Sequence, residues 1–308
     1  MIKEINYEGF GRCLEITNGK VDLLVTLDLG PRIIRYGFCG KENMMFEDKN
    51  REISLKSKEL EETFGEGSQW FIYGGHRLWV SPEYITTYYP DNEKVTYKET
   101  KRGGILFTPP TQRINKLLCE FEVILDENTA DVSIIHRVTN ISGVEKEFSL
   151  WCLTVLDKGG VEIFEWNTYT DGFLSNRNLI IWPYTNMADK RAYFGKEYVI
   201  IKQDEKAEIP FKIGTDNRKG WAAYINKGAA FIKRFEHNPN AAYPDNGCSF
   251  ETYTNAVMME CETIGELKKV KNGEMSTYTE KWALIDGIKA EEIKDEQSAK
   301  SFAEKYLK

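Results

Sequence analysis

The stretch MMECETIGEL, residues 258–267, carries two glutamates two positions apart, Glu260 and Glu262. On a strand alternate side chains leave the same face, so two such carboxylates have Cβ atoms about 6–7 Å apart. Withdrawn from water, they repel each other and at least one pKa rises toward neutrality. A carboxyl tuned that way suits proton transfer, which makes Glu260 and Glu262 the candidate acid–base residues. The alternative is a solvated strand end, where the pair costs nothing; the flanking Met-Met and Thr-Ile-Gly favour burial. Read as one long strand, 249–264 places Thr252, Thr254, Ala256, Met258, Glu260 and Glu262 on one face. Tyr253, Asn255, Val257, Met259 and Cys261 fall on the other.

A second polar concentration is WFIYGGHRLWVSPE, residues 70–83. Its two glycines allow unusual backbone angles and close approach of another group. Strand alternation puts His76, Leu78 and Val80 on one face and Arg77 and Trp79 on the other, so His76 and Arg77 line one wall only if the glycines introduce a bulge. His76 is a candidate proton donor, Arg77 a candidate substrate contact, and Trp70 and Trp79 offer ring faces. Glu83 follows in a turn after Pro82. The structural alternative is a glycine corner with a hydrogen-bonded histidine.

Other candidates are more scattered. Residues 160–215 include FEWNTYTDGFLSNRNLIIWPYTNMADKRAYFG, rings interleaved with amides and carboxylates. A sugar needs that mixture, because a pyranose has an apolar face and a rim of hydroxyls; a long surface excursion is the alternative. Trp151, Tyr253 and Asn246 are further candidate sugar contacts. Lys233 and Arg234 precede His237 in KRFEHNPN and can hold a phosphate or carboxylate on a sugar, unless they are simply solvated. His136, between Ile134 and Val138 on one face, reads as a buried, hydrogen-bonded histidine.

Composition narrows the classes. With 13% aromatic and 29% charged residues the 308-residue chain is globular and long enough for a large core. A net charge of −7 and the lack of a basic run argue against nucleic acid. The six cysteines show neither a CxxC pair nor zinc-ligand spacing, so no metal and no cofactor is expected. The start, MIKEINYEGF, lacks an apolar leader core, and no run of about 18 apolar residues exists; a cytoplasmic protein with no membrane partner is expected.

The elements that position these residues are mostly strands. VDLLVTLDLG and GPRIIRYGF flank a Gly-Pro break, and EKEFSLWCLTVL is one long strand. CEFEVILDENTADVSIIHRVTN and GWAAYINKGAAFIKRF read as hairpins, and STYTEKWALI follows a Lys-Asn-Gly turn. Helical patterning is confined to SKELEETFG and to IKDEQSAKSFAEKYLK, residues 293–308, acidic early and lysine-rich late. One large antiparallel all-β domain over 1–308, with a short C-terminal helix, is the simplest account.

IYGGHRLWVSPE, HRVTNISGVEKEFSLWCLTVL and MMECETIGEL, in that order, resemble segments of the galactose mutarotase-like proteins, the aldose 1-epimerases and hexose-phosphate epimerases. The resemblance covers most of the chain weakly. It implies a β supersandwich and a small-molecule carbohydrate partner, a mono- or oligosaccharide, free, phosphorylated or acidic. In aldose 1-epimerases a glutamate takes the proton of the anomeric hydroxyl and a histidine protonates the ring oxygen, with no metal. The glutamate maps to Glu262 or Glu260, with Glu262 matching somewhat better. At the histidine's place this chain has Trp151 or Cys152, which leaves His76 as the implied acid. A carbohydrate-binding protein without turnover, or a domain related to polysaccharide lyases or glycosidases, are the alternatives.

Overall fold

The computed structural model describes residues 1–170 and 172–307. Alternation of apolar and polar residues closes most of the chain into two large antiparallel sheets of eleven and ten strands. Their facing sides share a hydrophobic core that includes Val25, Tyr36, Phe107, Phe121, Phe231 and Trp282. The expected hairpins are present. Leu117–Leu125 pairs with Val132–Asn140, and Trp221–Asn226 with Ala229–Phe235. The second turns on Lys227 and Gly228, both at positive φ (51° and 76°), where a glycine is an asset.

The short helix Lys58–Phe64 begins at Ser57, whose hydroxyl accepts from the Leu60 N–H. The C-terminal helix Glu296–Tyr306 is capped by Asp295, which accepts from the Ser298 N–H. Ala299, Phe302 and Ala303 lay it on the outer side of the ten-stranded sheet, against Ile200, Ile232 and Ala283. Ile293 packs there too, just before the helix, while Lys308 lies outside the described residues. Among the described residues no helix is long and apolar enough to cross a membrane, and the six cysteines are free thiols.

One sequence expectation fails. Residues 249–264 form two strands, Phe250–Thr254 and Met258–Ile264, paired as a hairpin. Asn255 makes the turn: its side-chain oxygen accepts from the backbone N–H of Val257 and of Met258. The turn reverses the alternation of the first strand, so Glu251 and Tyr253, not Thr252 and Thr254, share a face with Glu260 and Glu262.

Candidate functional site

Five neighbouring strands of the eleven-stranded sheet build the site. In spatial order they are Gly75–Ser81, Lys146–Asp157, Met258–Ile264, Phe250–Thr254 and Phe211–Thr215. Their register aligns one row across the outer face: Arg77, Leu153, Glu262, Glu251 and Gly214. The next row holds Gly75, Val155, Glu260, Tyr253 and Lys212, and a third holds Trp79, Trp151 and Ile264. Cross-strand neighbours on one face are close enough for their side chains to interact. Residues some 180 positions apart therefore meet.

Glycine is required where Gly75 enters its strand. A Cβ there would lie 2.3 Å from the Ile33 carbonyl oxygen, and φ is +65°. At neighbouring Gly74 it would meet the Phe46 carbonyl at 2.1 Å. The glycine pair thus lets this strand lie against its neighbours and fixes which side Arg77 takes.

The centre of the face is a lysine between two glutamates. Lys212 Nζ lies 2.8 Å from Glu251 Oε2 and 3.2 Å from Glu262 Oε2. The indole Nε1 of Trp151 donates to the same Glu262 oxygen at 2.8 Å. Both glutamates and the lysine are buried. Among the described residues, Glu262 Oε1 and Glu251 Oε1 have no hydrogen-bond partner. Burial raises the Glu262 pKa to about 7 against the opposing pull of Lys212, with Glu260 adding repulsion. Burial likewise raises Glu251 to about 8, again opposed by Lys212 and reinforced by Glu262. Burial pushes the Lys212 ammonium down, but the two carboxylates outweigh it and hold it well above its ordinary value. One cation cannot neutralise two buried carboxylates, so near neutrality the pair retains one proton between them.

Aromatic rings enclose this cluster. Lys212 Nζ sits 5.0 Å from the Trp151 ring centre and 4.7 Å from that of Trp182. Trp182 is placed by Thr185, whose hydroxyl accepts the Lys212 backbone N–H and donates to the Lys212 carbonyl. Gly214 leaves room for it, since a Cβ there would lie 3.3 Å from the Trp182 ring and 2.3 Å from Cys248 Sγ. The exposed Tyr184 meets Tyr253 edge-on at 6.5 Å. On the other flank Arg77 bonds Glu260 at 3.2 Å and lies over Trp79 (4.4 Å) and Trp70 (5.6 Å). Arg77 Nε and Nη1 and Trp70 Nε1 have no partner among the described residues. Tyr88 packs edge-on against Trp70 and Trp79 and donates to Glu83 at the rim. Asn246 is exposed in a loop whose Asp245 accepts the Ser81 hydroxyl.

Several sequence candidates are not brought to this face. His76 points to the opposite side of the sheet, fully buried, with Nδ1 2.9 Å from Thr154 Oγ1 and Nε2 2.8 Å from His136 Nε2. Burial, then the His136 and Lys233 charges, holds its pKa well below the ordinary range. The glycines set the start of the strand without a bulge between His76 and Arg77, so alternation separates them. Lys233 is not a surface cation. It is fully buried between the sheets, 2.9 Å from Glu280 and bonded to the carbonyls of Cys152 and Cys261. Arg234 is the outward member of that pair and lines a separate cavity of about 680 Å3 with His237, Tyr243 and Lys281. We place the candidate site at the glutamates, where buried donors and acceptors stand unpaired, and not at that cavity.

Sequence reasoning missed Glu251, Lys212, Trp182 and Tyr184. A lysine set between Phe211 and Ile213 was the available signal for a buried cation.

No protein-family model matches the chain, and no curated protein matches it in sequence. Ninety solved chains match it in structure. A proposed aldose 1-epimerase from Klebsiella pneumoniae superposes with a TM-score of 0.58 at 12% identity, covering 99% of this chain and 86% of that one. A proposed mutarotase from Salmonella typhimurium gives 0.54 at 10%, covering 89% and 90%. A galactose mutarotase-like protein from Clostridium acetobutylicum gives 0.50 at 11%, covering 93% and 98%. This chain has the galactose mutarotase-like fold, at 10–12% sequence identity to those neighbours.

Proposed function

We propose that the Glu262–Glu251–Lys212 face binds a carbohydrate and transfers protons at its anomeric centre. The supporting observation is the pair of buried carboxylates that share Lys212 while each keeps one oxygen unpartnered. At neutral pH the pair shares one proton; Glu262, whose carboxylate is held by Lys212 and the Trp151 indole, is the base, and Glu251 is the acid. Glu262 Oε1 takes the proton of the anomeric hydroxyl as Glu251 gives its proton to the ring oxygen. The bond from ring oxygen to anomeric carbon breaks, leaving an open-chain aldehyde and a ring-opened hydroxyl. After rotation of the carbonyl, the steps reverse and the other anomer forms. Lys212 and the Trp151 indole hold the Glu262 carboxylate in place. The Trp79 and Trp151 rings offer flat faces for the sugar's C–H side, and the free Arg77 N–H groups suit hydroxyls or an acidic substituent. Trp182 and Tyr184 cover the cluster and must move for a sugar to enter.

A second reading, carbohydrate recognition without turnover, is favoured by the lack of a histidine where the resemblance leads one to expect the acid, Trp151 or Cys152 standing there instead. Polarimetry of freshly dissolved anomers separates the two. Acceleration by wild type across a panel of free and phosphorylated hexoses, reduced about 10²- to 10⁴-fold in Glu262→Gln and in Glu251→Gln, supports the enzyme. Sugar binding with no acceleration by wild type refutes it in favour of recognition.

A further inference from the structure

Between the two sheets, behind the glutamate face, donor atoms from three strands converge. His76 Nε2 and His136 Nε2 lie 2.8 Å apart, and Glu280 Oε2 lies 4.0 Å from His76 Nε2. The three ligand-type atoms all fall within 4.8 Å of one another, and the three residues are fully buried. Each is fixed from behind. His76 Nδ1 meets Thr154 Oγ1 at 2.9 Å, and His136 Nδ1 donates to the Tyr278 carbonyl at 3.2 Å. Glu280 accepts from Trp282 Nε1 at 2.9 Å, from Lys233 at 2.9 Å and from the Thr263 hydroxyl. Both imidazoles thus present Nε2 to one gap while the far nitrogen is tied to a carbonyl or hydroxyl, as in histidines that ligate metals.

We infer that this gap is a site for one divalent cation, zinc by its chemistry, held by His76 Nε2, His136 Nε2 and Glu280 Oε2. Two imidazoles and a carboxylate form a zinc-type donor set, and a closed site suits an ion acquired as the chain folds. Bonds of about 2.0–2.2 Å require donor atoms roughly 3.3 Å apart, so the imidazoles part slightly and Glu280 Oε2 closes in from 4.0 Å on His76 and from within 4.8 Å on His136. Lys233 and Thr263 occupy Glu280 Oε1, while Oε2 accepts from Trp282 Nε1 and has a further lone pair to offer the ion. Without an ion, His76 Nε2–H donates to His136 Nε2. With it, that proton moves to Nδ1 and donates to Thr154, so the imidazoles neither gain nor lose protons. The spacing of 76, 136 and 280 shows no ligand motif because the donors come from separate strands.

The competing occupant is the proton alone, and metal analysis separates the two. Protein from zinc-supplemented cells, purified without chelator and exchanged into metal-free buffer, should retain about one zinc per chain. His136→Gln and Glu280→Gln should retain less than about a tenth of that. Should both variants fail to fold, X-ray absorption at the zinc edge of wild type reads the ligands directly, and nitrogen and oxygen donors without thiolate are expected. Wild type with under about 0.1 zinc per chain, and no change in Tm on adding zinc or chelator, overturns the inference and leaves the shared proton. Zinc held by thiolates, or kept in full by both variants, overturns it by putting the metal elsewhere.

Discussion

Replacing Lys212 by Met tests the electrostatics on which the glutamate face rests. In the wild-type protein Glu262 and Glu251 are raised from the ordinary 4.5 to about 7 and about 8. A carboxyl whose pKa is raised on folding binds protons in the folded state that the unfolded chain has already released. Stability is then full below about pH 4.5 and falls as pH rises through about 8. Lys212 opposes that loss by pulling both values down. Without it, burial and mutual repulsion act alone, both pKa values rise further, and each added unit is about 1.4 kcal/mol between the two protonation states. At about pH 5 both carboxyls of Lys212→Met are neutral, and the cost is the lost hydrogen bonds, about 1–2 kcal/mol. At about pH 9 the wild-type carboxylates ionise against Lys212, whereas the variant must keep its protons or bury an uncompensated charge, and the cost grows to about 3–5 kcal/mol. Urea unfolding of both proteins at the two pH values, compared at equal m-value, measures the difference. A loss that is the same at both, or smaller at the higher pH, refutes the reasoning.

Three further outcomes follow from the same geometry. Trp151→Phe keeps the ring under Lys212 but removes the donor to Glu262, and should cost about 1–3 kcal/mol in chemical denaturation, more at high pH than at low. Gly75→Ala, with its Cβ against the Ile33 carbonyl at positive φ, should destabilise by about 3 kcal/mol or more; a change under about 1 kcal/mol by urea unfolding contradicts the close approach. Trp182→Ala should open the cover over Lys212, so that sugar associates faster in stopped-flow fluorescence; an unchanged association rate contradicts the cover.

The parts legible in the sequence were those set by alternation within single strands. The run from Gly75 to Ser81 predicts Arg77 and Trp79 on one side and His76 on the other, and that separation is what the fold contains. Hairpins with a glycine or a polar cluster at the turn were equally legible. The Asn255 turn was not, because it has no glycine or proline and is closed by one side chain. Missing it inverted the parity of Phe250–Thr254 and hid Glu251. Lys233 and Arg234 are adjacent, so one faces each side; pairing with the Met275–Asp286 strand sends Lys233 inward, toward Glu280, and no local pattern encodes that choice. Trp182 and Tyr184 sit in a segment whose composition suggested a sugar site, but the Thr185 clamp that brings them over Lys212 depends on a strand more than twenty residues away.

Handling of a sugar's anomeric carbon between Glu262 and Glu251, as proposed, is open to one structural test. A crystal structure of Glu262→Gln soaked with a monosaccharide that wild type interconverts tests it most directly. Trp182 and Tyr184 should be displaced, the anomeric hydroxyl within hydrogen-bond reach of residue 262, and the ring oxygen facing the free oxygen of Glu251. A sugar bound instead in the cavity lined by Arg234, His237 and Tyr243, with the glutamate face still closed, would contradict it.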